Sequence, residues 1–266
     1  MASSTASNRR EQLRRQQEAQ ARQKRFNRIV GIVAGAVALV LVGVFGWVFV
    51  QTMRTNAPSG DGSSAAALVP PNVNADSSAL VVNTTPAPEG APVVTVYLDY
   101  QCPNCKVFEE DYGAMLEEEA NAGTWTLQNS TLTFMNNNLQ NTASIRSAYA
   151  AACSAFSGPA TYSAYGKAVY ANQAVQEIRG SEGYSDELLR ETIPAQVGIT
   201  GDALTQFQSC YDNQSTKGFV ETVEKAAYAD QVTGTPTIAI NGKIIDRSKA
   251  ADGSPEALKA LLLANA

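Results

Sequence analysis

A strand–helix–strand pattern, a long helical block and a late strand–turn–strand pattern predict an α/β fold, a small mixed sheet whose two halves are separated in sequence by helices. The first half contains residues 92–98 (PVVTVYL), a helical pattern after Cys102 and a second strand pattern over 125–135. A strand, helix and strand in that order predict a parallel βαβ unit. The second half contains residues 237–240 (TIAI), Asn241-Gly242 and residues 243–245 (KII). A two-residue Asn-Gly between β-branched runs is a hairpin signal. Between the halves, residues 141–233 show Ala, Gln, Glu and Tyr at helical spacing and no strand pattern.

Ahead of this domain the sequence predicts a membrane anchor. Of 20 basic and 25 acidic side chains, eight and two lie in residues 1–28, which leaves 12 and 23 for the rest. Residues 29–50 carry no charge. As a helix they span roughly 33 Å, enough for a hydrocarbon core of ~30 Å. The competing reading is a cleaved signal peptide, whose apolar region is only ~7–15 residues long. Thr55-Asn56-Ala57 is a poor cleavage site, so a transmembrane helix over 29–50 is expected. Eight basic residues before the span and only Arg54 just after it place the N-terminus in the cytoplasm and the remainder outside it. Trp47 and Phe49 suit the outer interface of the bilayer. Residues 51–79, rich in Ala, Ser, Pro and Gly, predict a flexible linker, which places the folded domain at 80–266. Its acidic balance argues against a nucleic-acid partner.

Within the domain, residues 79–82 predict a short strand ahead of 92–98. The helix after Cys102 has Val107, Phe108, Tyr112, Met115 and Leu116 on one face and stops near residues 121–123. Glu109, Glu110, Asp111 and Glu117, Glu118 and Glu119 fall mainly on its wet side. Breaks at 158–159, 180–183 and 200–202 divide the helical block into about five helices. Ser254-Pro255-Glu256 opens a last helix that runs through Leu263.

The chain contains no histidine. Its absence excludes Ser-His-Asp and Cys-His catalysis and every His-ligated metal site. Cysteine is the strongest remaining candidate. Cys102-Pro103-Asn104-Cys105 lies where a strand ends and a helix begins. Free backbone N–H groups and the helix dipole favour a Cys102 thiolate there. Pro103 suits the first helical turn, where its missing N–H costs nothing. Cys105, one turn on, is placed to attack a mixed disulfide on Cys102, the pairing of exposed nucleophile and sheltered resolver that thiol–disulfide exchange needs. Half of a zinc knuckle is the competing reading, but Cys153 and Cys210 are 57 residues apart and no histidine completes it. No metal site is expected. Cys153 and Cys210 each fall in a predicted helix, and outside the cytoplasm one structural disulfide is the simplest use for them. A second redox pair is the alternative.

Residues 93–105 (VVTVYLDYQCPNC), Gly234-Thr235-Pro236-Thr237 and residues 238–242 (IAING) resemble the DsbA-like branch of the thioredoxin superfamily, here in membrane-anchored form. The resemblance covers about residues 80–266. It implies a thioredoxin-like fold with a helical domain (about 141–233) inserted between the βαβ half and the cis-Pro hairpin half. It also implies a cis Thr235–Pro236 bond that faces the sulfurs, with the backbone near Thr235 pairing to substrate. An ordinary edge-strand proline is the alternative for Pro236. The activity implied is extracytoplasmic thiol–disulfide oxidoreduction, with Cys102 and Cys105 catalytic and no cofactor. The partners implied are reduced or unfolded exported proteins, a membrane reoxidase of the DsbB or vitamin K epoxide reductase type, and the lipid bilayer. Two positions depart from the pattern. Asn104 stands where strong oxidants of the family carry His, and Val96 stands where thioredoxin has a buried acid. Asp99 is nearer the motif, with a capping or strand-end role equally open. The direction expected is that of an oxidase introducing disulfides into exported proteins, with a reductase or isomerase as the alternative that these two departures keep open. A non-catalytic anchored binding module is the reading from a different class.

Overall fold

The computed structural model describes residues 68–266. The expected basic tail, the transmembrane helix over 29–50 and the linker as far as residue 67 lie outside the described residues. Among the described residues no helix is long and apolar enough to cross a membrane.

A continuous apolar strand needs cover on both faces, and β2 (Val93–Leu98) has it, with five of its six residues buried. It is the central strand of five, in the order β1–β3–β2–β4–β5. β3 (Thr126–Thr131) runs parallel to it, with Val93 opposite Thr126 and Leu98 opposite Thr131. β4 (Thr237–Ile240) pairs antiparallel on the other side, with Val94 opposite Ile240 and Tyr97 opposite Thr237. β1 (Leu80–Val81) and β5 (Lys243–Ile244) form the edges. Asn241 (φ 49°) and Gly242 (φ 77°) take the two left-handed positions that a tight hairpin requires. This is the parallel βαβ unit and late hairpin expected from the sequence.

The crossover is helix α1, which runs as Pro103–Phe108, a π turn over Glu109–Gly113, and Ala114–Asn121. It ends as the sequence predicts, with Gly123 left-handed at φ 82°. Its buried stripe is Cys105, Phe108, Gly113, Leu116 and Ala120. Val107 was expected on this face but is 52% exposed. It lies about 100° around the helix from Phe108 and about 200° from Cys105, which turns it to solvent. The expected strand over 125–135 stops at Thr131; past Leu132 the Thr133 N–H goes to the Glu224 carboxylate (2.8 Å) and the Met135 N–H to the Asp99 carboxylate (3.0 Å).

After α2 (Met135–Leu139) the insert contributes α3 (Ala143–Ser154), α4 (Pro159–Ala171), α5 (Ile193–Gln196, entered through a π turn over Leu188–Thr192), α6 (Gly201–Asp212) and α7 (Lys217–Ala229). Ten of the twelve residues of α3 are buried, most of them Ala or Ser. A helix apolar all round belongs inside, and its small side chains let its neighbours approach. Cys153 of α3 is bonded to Cys210 of α6, with Cα atoms 5.9 Å apart. α8 (Pro255–Leu263) opens as expected, with the Ser254 hydroxyl accepting from Ala257 N–H (3.2 Å).

The expected linker is ordered in its described part. Leu68 N–H donates to Ser215 O (2.7 Å), Asn72 Nδ2 to Val81 O (2.8 Å), and the Asn74 carboxamide accepts from Ser78 and Ala79. The folded domain therefore takes in residues 68–79. Their order comes from side-chain staples to the backbone, which leave no periodicity to read. Asn83 works in the same way at the centre. Buried, it donates to Ala120 O and Trp125 O and accepts from Leu127 N–H, tying α1 to β3.

The disulfide closes a separation of 57 residues, for which loop-closure entropy gives about 4 kcal/mol as an upper figure. Replacing both Cys153 and Cys210 with Ser should lower the unfolding free energy of the full chain by an amount approaching that figure, read as a fall in its denaturation midpoint. An unchanged midpoint would show that the bond does not support the fold.

Candidate active site

β2 delivers the chain to the site through Asp99, Tyr100 and Gln101, and the helical insert holds each of these three residues. Asp99 O accepts from Cys102 N–H (3.0 Å) and from the Tyr170 hydroxyl (3.3 Å). Tyr100 O accepts from the Tyr184 hydroxyl (2.8 Å), and Gln101 O from Gln173 Nε2 (2.7 Å). The Gln101 side chain accepts from Ser144 N–H (2.9 Å) at the start of α3. Gly183, left-handed at φ 67°, leaves the space that Gln101 Nε2 fills.

The Asp99 carboxylate, wholly buried, accepts three hydrogen bonds. Oδ1 takes Gln101 N–H (2.9 Å) and the Ser144 hydroxyl (2.7 Å), and Oδ2 takes Met135 N–H (3.0 Å). Burial pushes its pKa up to about 7 although these bonds pull it down. Asp99 fills the capping and strand-end role expected as one reading of it, and it acts on three segments at once.

Cys102 is the N-cap of α1, in extended conformation with φ −76° and ψ 117°. Its carbonyl accepts from Cys105 N–H (3.0 Å) and Lys106 N–H (3.2 Å). Pro103 occupies the first turn, as expected. Asn104 is exposed, and its contribution is its backbone N–H rather than its side chain. Cys102 and Cys105 are not bonded to each other in this structure. The expectation of an exposed Cys102 needs correcting: it is 5% exposed, against 2% for Cys105. The hairpin half lies across it, with Cys102 Sγ 3.5 Å from Thr235 O.

The Thr235–Pro236 bond is cis. It brings the Thr235 carbonyl and hydroxyl to the sulfurs from the far half of the sheet. The hydroxyl is buried without a hydrogen-bond partner, yet it stands close enough to both sulfurs to favour their thiolates. The two thiols are unequal. The Cys105 thiol donates toward Cys102, and the Thr235 hydroxyl and the N–H groups of Cys105 and Asn104 add to it. Together they outweigh burial and bring Cys102 down to about 6. Burial, then the neighbouring Cys102 sulfur, push Cys105 well above the ordinary thiol range.

The structure gathers Cys102, Pro103, Asn104, Cys105, Thr235 and Pro236 at one end of β2 and β4. Cys153 and Cys210 are bonded to each other, so neither supplies a ligand to a zinc knuckle with the motif. Sequence reading missed Gln101, Tyr170, Gln173 and Tyr184. Nothing local marks them, since their partners lie 43 to 84 positions away.

A family model described as thioredoxin matches residues 87–260. No curated protein sequence matches the chain. Among solved structures, the chain is similar to MdbA, a thiol-disulfide oxidoreductase from Actinomyces oris, at 20% identity over 74% of this chain and 92% of that one, with a TM-score of 0.60. It is similar to oxidised DsbA of Mycobacterium tuberculosis at 22% identity over 69% and 90%, with a TM-score of 0.56. BdbD of Bacillus subtilis matches at 19% identity over 76% and 98%, with a TM-score of 0.53. At these identities the likeness carries the fold.

The asymmetry of the thiols predicts the pH dependence of alkylation. The Cys102 thiolate, depressed from the ordinary thiol range, forms as pH rises through about 6. Alkylation of the reduced full chain should therefore follow one ionisation near pH 6, mapped to Cys102 by mass spectrometry, with Cys105 unmodified at neutral pH. Faster labelling of Cys105 would contradict the assignment.

Proposed function

The chain belongs to the thioredoxin family, and we propose that it is a thiol–disulfide oxidoreductase, anchored in the membrane, that oxidises exported proteins outside the cytoplasm. The observation that carries the proposal is the pair itself: a depressed Cys102 at a helix N-terminus, a suppressed Cys105 beneath it, and Thr235 before a cis proline across both.

In the oxidising direction the resting enzyme holds a Cys102–Cys105 disulfide. A substrate thiolate attacks Cys102 Sγ. The bond to Cys105 breaks, Cys105 leaves as a thiolate that gains a proton, and a mixed disulfide joins substrate to Cys102. A second substrate thiolate attacks the substrate sulfur of that bond. Cys102 then leaves as a thiolate, and its low pKa makes it a good leaving group at neutral pH. The substrate has lost two electrons and the enzyme has gained them. Because the Cys102 thiolate is stabilised in the reduced enzyme only, the reduced form is favoured, which supports the oxidase direction. Thr235 and Pro236 form the wall against which substrate backbone lies. Pro103 and Asn104 tune Cys102 through the helix start they build.

The uncharged run 29–50 and the basic residues before it support an anchor with the active site outside. The reduced enzyme then requires a membrane reoxidase, for which a DsbB or vitamin K epoxide reductase type protein fits. Two-dimensional confinement favours that encounter.

Trapping tests the reading. With Cys105→Ala in the full chain and Cys102 first activated as a mixed disulfide with a small thiol, attack by substrate thiolates should release that thiol, and mixed disulfides between Cys102 and exported proteins should accumulate in the salt-washed membrane fraction and vanish on reduction. Complexes that survive removal of Cys102 would overturn the mechanism. Recovery of the complexes in the soluble fraction would overturn the anchor alone.

A further inference from the structure

Two peptide planes lead from β2 to Cys102, and each is held at both ends. In the first, Gln101 N–H donates to Asp99 Oδ1 (2.9 Å) and Tyr100 O accepts from the Tyr184 hydroxyl (2.8 Å). In the second, Cys102 N–H donates to Asp99 O (3.0 Å) and Gln101 O accepts from Gln173 Nε2 (2.7 Å). Asp99 directly follows the central strand, and Gln173 lies just past the end of α4. Tyr184 instead stands in the connection between α4 and α5, outside any helix or strand. Its grip on Tyr100 is only as firm as the fastening of that connection.

The fastening is Arg146 of α3, whose side chain is mostly buried. Its Nη2 donates to Glu182 O (3.1 Å) and Tyr184 O (2.7 Å), its Nη1 to Asp186 Oδ1 (2.7 Å) and its Nε to Thr142 Oγ1 (3.2 Å). Asp186 also accepts from the Tyr211 hydroxyl of α6. Two carbonyls two residues apart meet one Nη2 because the chain turns between them, with Gly183 left-handed at φ 67°. A Cβ at Gly183 would stand 2.6 Å from Ala143 Cβ and from Gln101 Nε2. Residues 182–186 are thus drawn against the start of α3 and against the residue before Cys102. A planar fork of donors can hold both carbonyls and the carboxylate at once, which a single ammonium cannot.

The geometry points to Arg146 as a positioning residue for the exchange at Cys102: by fastening residues 182–186 it fixes the Tyr184 hydroxyl on Tyr100 O, and with it the peptide plane that aims Cys102 at its donors. Those donors are the Cys105 thiol, the Thr235 hydroxyl and the N–H groups of Cys105 and Asn104. They act over hydrogen-bond distances and angles, so a small swing of that plane weakens several of them together. Released from Arg146, Tyr184 no longer holds the Tyr100–Gln101 peptide. The Cys102 thiolate then loses part of its stabilisation, and the reduced pair is favoured less. Asp99 and Gln173 keep their hold on the second plane, so the effect is graded rather than complete.

This inference rests on the exchange reading, and the experiment separates the two. The full chain is equilibrated in glutathione buffers of graded ratio and the Cys102–Cys105 pair is read by mass after acid quench, with the unfolding midpoint measured alongside. Arg146→Lys keeps the charge and removes the fork, and Tyr184→Phe removes one hydroxyl. Each should shift the equilibrium about three- to tenfold toward the disulfide, the worth of about one hydrogen bond. Each should also raise the pH at which Cys102 alkylation sets in above about 6. Combined, the two should shift the equilibrium no further than the larger single shift, because both act through one contact. Arg146→Gln stands in for Arg146→Lys if that variant does not fold. Folded variants with the natural equilibrium and alkylation profile, whatever their unfolding midpoint, would confine Arg146 to the fold and overturn the inference. Shifts that add would overturn its action through Tyr184. A natural chain with no reversible transition would overturn the exchange reading, and this inference with it.

Discussion

One buried carboxylate holds the site in place. Asp99 ends the central strand, and its two oxygens gather the N–H of Gln101, the N–H that starts α2 and the hydroxyl at the first turn of α3. Three segments meet at a carboxyl group that has no water to turn to. A buried carboxylate left without its partners costs far more than the bonds themselves contribute. The geometry is therefore closely specified: the loop to Cys102 cannot shift unless Asp99 loses donors.

What Asp99 begins, the insert completes. Tyr170, Gln173 and Tyr184 cap three consecutive carbonyls ahead of the motif. The helical block thus acts as a clamp on the active-site loop, and its Ala-rich central helix and disulfide give that clamp a rigid base. The thiol pair sits at the open edge of this frame. Its asymmetry follows from position: Cys102 receives the helix N–H groups and the Cys105 thiol, while Cys105 receives burial and a sulfur charge. A preorganised site of this kind favours the thiolate without rearrangement when the disulfide opens.

Features set by neighbours in sequence were legible in advance. The strand runs, the Asn-Gly turn, the Pro103 helix start, the Ser254 cap and the breaks of the helical block all depend on residues within a few positions. Features set by distant partners were not. Asp99 reads as a strand-end residue, and its reach to Ser144 emerges only when the insert folds over it. Glu109 reads as solvated at an ideal helical pitch, and one extra residue in the turn brings it to half-buried. The mid-helix Gly113 was the single local sign of that. Residues 68–79 read as a tether because asparagine staples have no period. Cys102 reads as exposed because the hairpin that covers it lies more than 130 residues further on.

The central claim is that the frame stabilises a Cys102 thiolate and thereby favours the reduced pair. The most direct measurement is the equilibrium of Cys102–Cys105 in glutathione buffers of graded ratio, read by mass after acid quench on the full chain. The account predicts a two-electron transition of this pair alone, lying on the oxidising side of the glutathione couple, with Cys153–Cys210 intact throughout. A pair that stays disulfide-bonded in reducing glutathione, or no reversible transition at all, would contradict it.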